Sequence, residues 1–94
     1  MIRMSVLYPM TEGATFDHDY YRDHHVPLCG ATWHPERVEI DRGLDGPYVA
    51  AVHLFFPTLE AMQGAMAGEG TAGVLADVAN YTTINPVLQV SEVA

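Results

Sequence analysis

The chain is most distinctive between residues 16 and 28, where it reads Phe16-Asp17-His18-Asp19-Tyr20-Tyr21-Arg22-Asp23-His24-His25-Val26-Pro27-Leu28. This stretch predicts a short helix, because Asp17 can accept a hydrogen bond from a first-turn amide and acids are favoured at the positive helix end. Pro27 disfavours helical backbone at Val26, so we expect the helix to end near His25. Tyr21 and His25 are then one turn apart and share a face.

The segments on either side predict strands and one further helical region. Alternating side chains predict strands over residues 2–8, 36–41 and 83–93, and the most apolar segment, 48–56, predicts the central strand. Thr58 can cap a helix, which Gly68-Glu69-Gly70 interrupts before a second short piece. The resulting order of strand, helix, strand, strand, helix, strand is the split βαβ pattern of ferredoxin-like domains. We therefore expect an α+β fold with an antiparallel four-stranded sheet, in one domain spanning residues 1–94.

Composition narrows the classes of partner. The chain has four arginines, no lysine and a formal net charge of −8, which argues against nucleic acid and anionic membranes, since both are bound through clustered cations. Cys29 is the only cysteine, so an internal disulfide is excluded and a reduced, cytoplasmic protein is expected. No apolar run approaches the roughly 18 residues that a membrane helix needs. Of its 94 residues, 49% are hydrophobic, and a single domain of this size buries only part of its apolar surface. We therefore expect a homodimer that buries the remainder.

The stretch around His25 resembles the EthD family, whose motif is close to F-D-x-D-Y-Y-x-x-x-H-x-P-L. The matching residues are Phe16, Asp17, Asp19, Tyr20, Tyr21, His25, Pro27 and Leu28. The resemblance extends to the strand ending at Pro9 and to a last strand led by Pro86. It implies a dimeric α+β barrel, in which the sheet of a second subunit covers the face that the helices leave open. It also implies a pocket for a small molecule, since the wider superfamily includes monooxygenases, cyclases, isomerases and decarboxylases, many without a redox cofactor.

The strand faces predict where such a pocket lies. One face is uniformly apolar and suits packing under helices; it comprises Met4, Val6, Val38, Ile40, Val52, Leu54, Leu88 and Val90. The other face is mostly apolar with a few polar groups, as in many ligand cavities; it comprises Ser5, Leu7, Glu39, Ala51, His53, Phe55, Val87 and Gln89. We therefore expect the cavity on this mixed face, in the space bounded by His25, His53, Tyr21 and Gln89.

Three side chains are candidate catalytic groups. His25 carries the family resemblance and titrates near neutral pH, which suits proton transfer, but it could instead interact with the helix carboxyl terminus. His53 interrupts an apolar strand and needs a partner, so it is either a pocket residue or a structural group bonded to Ser5, Gln89 or a tyrosine. Tyr21 is expected to assist His25.

Further aromatic and polar residues are candidate ligand contacts, with core packing as the alternative; they are Tyr20, Trp33, Phe55, Tyr81 and Gln89. Cys29 is read as a small buried hydrophobe. His18 and His25 are too far apart along a helix to share a metal ion, and no H-x-x-x-H or C-x-x-C spacing occurs. No metal and no nucleotide or other cofactor is expected.

Three functions remain open from the sequence. The first is an enzyme that catalyses cofactor-independent isomerisation, cyclisation, decarboxylation or oxygenation of a small hydrophobic or aromatic metabolite in degradation or secondary metabolism. The second is a non-catalytic ligand-binding or accessory protein for a partner enzyme. The third is a structural dimer whose cavity is filled by its own side chains.

Overall fold

Four strands form one antiparallel sheet in the order β2-β3-β1-β4. The computed structural model describes residues 1–94. The strands are β1 (Ile2–Pro9), β2 (Arg37–Arg42), β3 (Tyr48–Phe56) and β4 (Val87–Glu92). The two most apolar strands, β1 and β3, occupy the centre, where both of their edges are paired. The α+β, ferredoxin-like sheet expected from the sequence is confirmed.

The register of the strands sorts side chains onto two faces. β1 pairs with β3 so that Met4 lies opposite Leu54 and Ser5 lies opposite His53. Successive side chains on a strand point to opposite faces. Met4 and Leu54 therefore face the helices, where they are 1% and 0% exposed, and Ser5 and His53 face the other way.

A composite helix over residues 18–33 crosses the helical face of the sheet. It consists of α1 (His18–Tyr20), a wide π-helical turn (Tyr21–His25) and α2 (Val26–Trp33). Asp17 caps it as expected, since its carboxylate accepts a hydrogen bond from the Tyr20 amide at 3.1 Å.

The expected end of this helix near His25 is wrong, because the wide turn accommodates Pro27. The amide of Val26 donates to the carbonyl of Tyr21, five residues back, and Pro27 falls within the first two positions of α2. Proline is tolerated there because it has no amide to donate and its backbone is already helical. The helix instead ends at Trp33, followed by His34 in the left-handed conformation at φ 51°, a common helix ending.

Two shorter helices complete the helical layer. Thr58 caps α3 (Leu59–Met66) through a hydrogen bond from the Ala61 amide at 3.1 Å, as the sequence predicts. After the glycine break follow α4 (Thr71–Asp77) and a 3₁₀ turn over Val78–Asn80. β4 begins at Val87, four residues later than expected, because residues 83–86 are irregular and pair with no strand. Thr82, just before them, makes an isolated bridge to Phe16.

Truncating Leu54 should test how much this core contributes to stability. Leu54 is 0% exposed, so Leu54→Ala should lower the free energy of unfolding by about 2 to 5 kcal/mol through lost burial and an added void. Leu44→Ala is the matched control, because Leu44 is 96% exposed and should change it by no more than about 0.5 kcal/mol. Urea unfolding at one protein concentration measures both. Equal shifts in the two variants would contradict the assigned core.

Candidate functional site

A cavity of about 340 Å³ lies between the helical layer and the sheet. Met4 and Leu54 form its floor on the sheet, Val74 and Leu75 border it from α4, and twelve of its fifteen lining residues are hydrophobic. Its polar contacts come from few side chains, among them His25. The cavity therefore suits a small ligand that is apolar over most of its surface.

The expected position of the cavity is wrong. The sequence placed it on the face of the sheet that carries His53, but it opens on the opposite face, among side chains that were expected to form solid core. The reason is that α3 and α4 do not fill the space above β1 and β4: Leu88 is 60% exposed at the edge of the cavity, and Leu75 is 63% exposed. The alternation of side chains along the strands identified the apolar face correctly, but it does not show how completely the helices cover that face.

His25 is held in one orientation by the half-buried carboxylate of Asp77. The ring is 4% exposed and lines the cavity, and its Nδ1 lies 2.8 Å from Asp77 Oδ2. A carboxylate only accepts hydrogen bonds, so Nδ1 carries the hydrogen and Nε2 is the free, basic nitrogen. Asp77 is fixed in turn, because its Oδ1 accepts hydrogen bonds from the Tyr20 hydroxyl at 2.7 Å and from Asn80 Nδ2 at 2.9 Å.

Burial and hydrogen bonding set opposite protonation states in this pair. Burial lowers the pKa of His25 below its ordinary value of 6.5, and the hydrogen bond and charge of Asp77 oppose the shift without reversing it. Desolvation raises the pKa of Asp77, but hydrogen bonds from Asn80, Tyr20 and His25 outweigh it and leave that pKa below 3.8. At neutral pH the site therefore contains a neutral imidazole beside a carboxylate.

Tyrosine rings surround the His25 imidazole. The Tyr21 ring stacks on it at 5.6 Å and 16°, and the Tyr81 ring lies 4.5 Å away. The Tyr81 hydroxyl lies 2.6 Å from the Tyr8 hydroxyl, and Tyr8 also lines the cavity. The predicted neighbourhood of Tyr21 and His25 is confirmed, and these rings hold the imidazole from two sides.

The hydroxyl of Tyr21 is not directed at the main cavity. It is fully buried and has no hydrogen-bond partner, and burial raises its pKa above the usual range. Tyr21 borders a second groove, of about 220 Å³, which lies between the helix and the edge strand β2. Its contact with the site described above is through the face of its ring.

His53, Phe55 and Gln89 lie on the other side of the sheet. His53 Nδ1 is 2.7 Å from the Ser5 hydroxyl and its Nε2 is 2.8 Å from Asp41 Oδ2. The guanidinium of Arg37 lies 4.1 Å from the centre of the Phe55 ring, and Gln89 is exposed on β4. The sheet separates these residues from His25, so the structure does not bring the two histidines together.

Trp33 and Cys29 line the cavity with His25. Trp33 Nε1 donates to the Thr71 hydroxyl at 2.9 Å, which leaves the indole ring as an apolar wall. Burial raises the pKa of the Cys29 thiol to about 12, so it is a neutral thiol rather than a nucleophilic thiolate near neutral pH.

Sequence reasoning missed Asp77 and Tyr8. Asp77 is separated from His25 by 52 residues, and nothing in its local sequence distinguishes it from a solvated helix residue. Tyr8 did carry a signal, since it continues the alternation of Met4 and Val6 onto the helical face. The alternation at the end of β1 therefore indicated that Tyr8 faces the helices.

No group of three or more histidine, cysteine, aspartate or glutamate side chains is arranged to hold a metal ion. None of the helices has both the length and the apolar character required to cross a membrane.

The chain resembles several solved structures over nearly its whole length. An EthD-like protein from Ralstonia eutropha JMP134 is 40% identical, with a TM-score of 0.91 over 99% of this chain and 91% of that one. An ethyl tert-butyl ether degradation (EthD) family protein from Bacillus halodurans C-125 is 17% identical, with a TM-score of 0.80 over 100% and 99% of the two chains.

A more distant structure shares the fold alone. A dimeric ferredoxin-like protein of unknown function from Thermobifida fusca YX is 14% identical, with a TM-score of 0.65 over 98% of this chain and 90% of that one. The sequence matches no protein-family model and no curated protein. The 40% identity over almost the full length of both chains shows the family: this protein belongs to the EthD-like family.

Proposed function

We propose that this protein binds a small, neutral, mainly apolar metabolite in the cavity and catalyses a proton transfer on it without a bound cofactor, with His25 as the base. The observation that carries the proposal is the buried His25 on the wall of an apolar cavity, with its Nδ1 bonded at 2.8 Å to the half-buried Asp77. A titratable group whose pKa is shifted by burial and by a specific charged partner, and which lines a cavity, is a functional-site candidate on physical grounds.

The pair is suited to accept a proton from a bound molecule. Neutral His25 offers Nε2 as the base, and Asp77 stabilises the imidazolium that forms when the proton arrives. The hydrogen bonds from Tyr20 and Asn80 keep the carboxylate in place during that change. Isomerisation and cyclisation through an enol both begin with a proton transfer of this kind.

Charge supports a neutral ligand. No arginine lines the cavity, and the carboxylate of Asp77 bonds the Nδ1 of the His25 ring on its wall. The chain as a whole carries a formal charge of −8. An anionic compound would lose its hydration in the cavity without gaining a countercharge, which is costly.

We also propose a homodimer formed by the sheet face that the helices leave open. Its side chains form rows across the strands: Arg3 and Arg37 flank Phe55 in one row, and Glu39 lies beside His53 in the next. This face is thus basic at one end and acidic at the other. Arg3 Nε is buried and has no hydrogen-bond partner within the chain, which an acidic group of a second copy would supply.

The charge pattern favours one of two ways to stack these faces. A two-fold axis that reverses the strand direction between the sheets places the basic end of each copy over the acidic end of its partner. An axis along the strands would place arginines over arginines, which is unfavourable. The solved dimeric ferredoxin-like relative supports pairing of this general kind.

A carrier or accessory role is the second candidate function. The cavity wall supports it, because twelve of fifteen lining residues are hydrophobic and would hold a ligand whether or not His25 reacts with it. The unreactive state of Cys29, whose pKa is raised to about 12, would also protect a bound compound from thiol addition. We place either activity in the cytoplasm, where a lone thiol stays reduced.

Turnover separates the two functions. Compounds extracted from the purified protein, together with a panel of neutral aromatic ketones and lactones, are incubated with wild-type protein and with His25→Gln, and products are followed by mass spectrometry. We expect the wild type to convert at least one compound and His25→Gln to bind it but convert it about 100-fold to 10,000-fold more slowly. His24→Gln is the control, since His24 is exposed. Recovery of every bound compound unchanged would establish the carrier role instead.

The titration of His25 tests the pair itself. Because burial lowers its pKa below 6.5, the unfolded chain takes up a proton at this site before the folded chain does. The stability conferred by neutral His25 is therefore complete above about pH 6.5 and declines as the pH falls through and below that value. Asp77→Asn should lower the pKa of His25 further, since it removes the charge that opposes the effect of burial.

Proton NMR of the imidazole ring measures this pKa in the two proteins. Asp41→Asn is the matched control, because Asp41 bonds His53 on the other face of the sheet, and it should leave the His25 titration unchanged. A rise in the pKa of His25 on Asp77→Asn would show that the carboxylate does not act as described.

The dimer can be tested by charge reversal. Arg3→Glu should raise the dimer dissociation constant by about tenfold or more, because it removes an interface charge and creates repulsion at the acidic end of the partner. Arg22→Glu is the control, since Arg22 is exposed on the helix and pairs only with its neighbours Asp19 and Asp23. Sedimentation equilibrium measures both. A wild-type protein that stays monomeric at micromolar concentration would refute the interface.

A further inference from the structure

We propose that Tyr8 donates a hydrogen bond to the oxygen of the bound molecule, and that the ligands of this site are neutral ketones that can form an enol. This inference rests on the proposed role of His25 as a base. It adds the second group that such a reaction needs, namely a donor that stabilises negative charge on the carbonyl oxygen as the proton leaves carbon.

Tyr8 is the tyrosine placed for this role. Four tyrosines cluster around His25, but Tyr8 alone among them lines the cavity. It projects from the end of β1, it is 1% exposed, and its ring is fixed by edge-on contacts with Phe16 and Tyr21 at 5.1 and 5.4 Å. A ligand in the cavity therefore meets a donor that does not have to be ordered first.

Most of the other hydrogen-bonding groups that line the cavity already have partners, so few could bind a ligand. Trp33 Nε1 is bonded to Thr71, and the Thr71 hydroxyl lies 3.4 Å from the Ala65 carbonyl. Cys29 offers only a weak thiol donor. The groups left for a polar ligand atom are the Nε2 of His25, which accepts, and the hydroxyl of Tyr8, which can donate.

Tyr81 supports Tyr8 in this role. The two hydroxyls lie 2.6 Å apart, so Tyr81 can donate to Tyr8 while Tyr8 donates to the ligand. Such a chain strengthens the outer hydrogen bond. Burial raises the pKa of both phenols, so both remain donors at neutral pH and His25 is left as the only base.

One acceptor, one donor and an apolar wall define the ligand class. The single oxygen of a ketone can accept from Tyr8, the acidic C–H bond next to it can face His25, and the hydrocarbon remainder fits the wall of Met4, Leu54 and Val74. A carboxylate or phosphate finds no cation there.

The step is balanced without any other reactant. The Nε2 of His25 takes the proton from the carbon beside the carbonyl as that C–H bond breaks. Its electron pair forms the C=C bond, and the π pair of the carbonyl moves to oxygen, where Tyr8 stabilises it. If the imidazolium exchanges its Nε2 hydrogen with solvent before reprotonation, delivery of a solvent hydrogen to the same carbon gives hydrogen exchange. Delivery of the proton to the far end of a conjugated system isomerises the ketone.

Hydrogen exchange of a probe ketone tests the proposal without knowledge of the natural substrate. The full-length protein is incubated with 2-tetralone in D₂O, and loss of the proton signals next to the carbonyl is followed by NMR. We expect exchange above the rate in buffer with the wild type, and a decrease of about 100-fold or more in Tyr8→Phe. Tyr48→Phe is the control, since Tyr48 is 38% exposed and lies outside the cavity.

Binding of the parent hydrocarbon, tetralin, is measured as a control for folding and for an intact cavity. Tetralin has the same rings without the oxygen, so it should bind wild type and Tyr8→Phe equally, which also shows that the variant is folded. The preference for tetralone over tetralin should be present in the wild type and lost in Tyr8→Phe. His25→Gln should abolish exchange but keep that preference.

The outcomes separate this inference from the proposed function. If tetralin binds but tetralone is neither preferred nor exchanged, the role of Tyr8 and the ketone class are refuted while the apolar cavity stands. If Tyr8→Phe exchanges tetralone at the wild-type rate, Tyr8 is refuted as the donor. If neither compound perturbs the cavity side chains, the proposed binding function fails as well.

Discussion

The hydrogen bond between His25 and Asp77 ties the two halves of the helical layer together. It joins the wide turn that precedes α2 to the last residue of α4, across 52 residues of sequence. Without it, the Nδ1 of a buried imidazole would lose its hydrogen-bond partner, which is costly, and Asp77 would be held only by Tyr20 and Asn80. The contact helps to hold α4, which borders the cavity, together with the hydrogen bond from Trp33 to Thr71, and it is also the candidate chemical centre. Stability and reactivity are therefore coupled at this point.

Much of the fold could be predicted because its strands and helix starts are marked by local sequence patterns. Alternation located β1, a continuous apolar run located β3, and Thr58 and Asp17 marked helix starts through their side-chain oxygens. The end of the first helix was mispredicted because a proline rule that holds for an ordinary α-helix was applied to a turn of different pitch. That wide turn is formed by a backbone hydrogen bond between Val26 and Tyr21, and no residue type in the sequence predicts such a bond.

The site was only half predictable. Tyr21 and His25 stack on each other, as their spacing on one helix predicts. Trp33 lines the cavity with His25, but the sequence did not place it on the same helix. The partner of His25 came from a distant segment, and the cavity arose on the apolar face because α3 and α4 leave part of β1 and β4 uncovered. Contacts between distant segments and incomplete packing are properties of the assembled chain. The pairing of His53 with Ser5, one of the structural alternatives for that residue, did follow from neighbouring strands.

Because of the wide turn, the number of residues in the motif determines how α2 is oriented. Its carbonyl-to-amide step spans five residues, from Tyr21 to Val26, so it holds one residue more than an α-helical turn does. Loss of a single residue here would restore an ordinary helix and rotate everything that follows by about 100°. Cys29 and Trp33 would then leave the cavity wall although neither had been altered. The number of residues between Tyr21 and Pro27 is thus as much a part of the site as their chemistry.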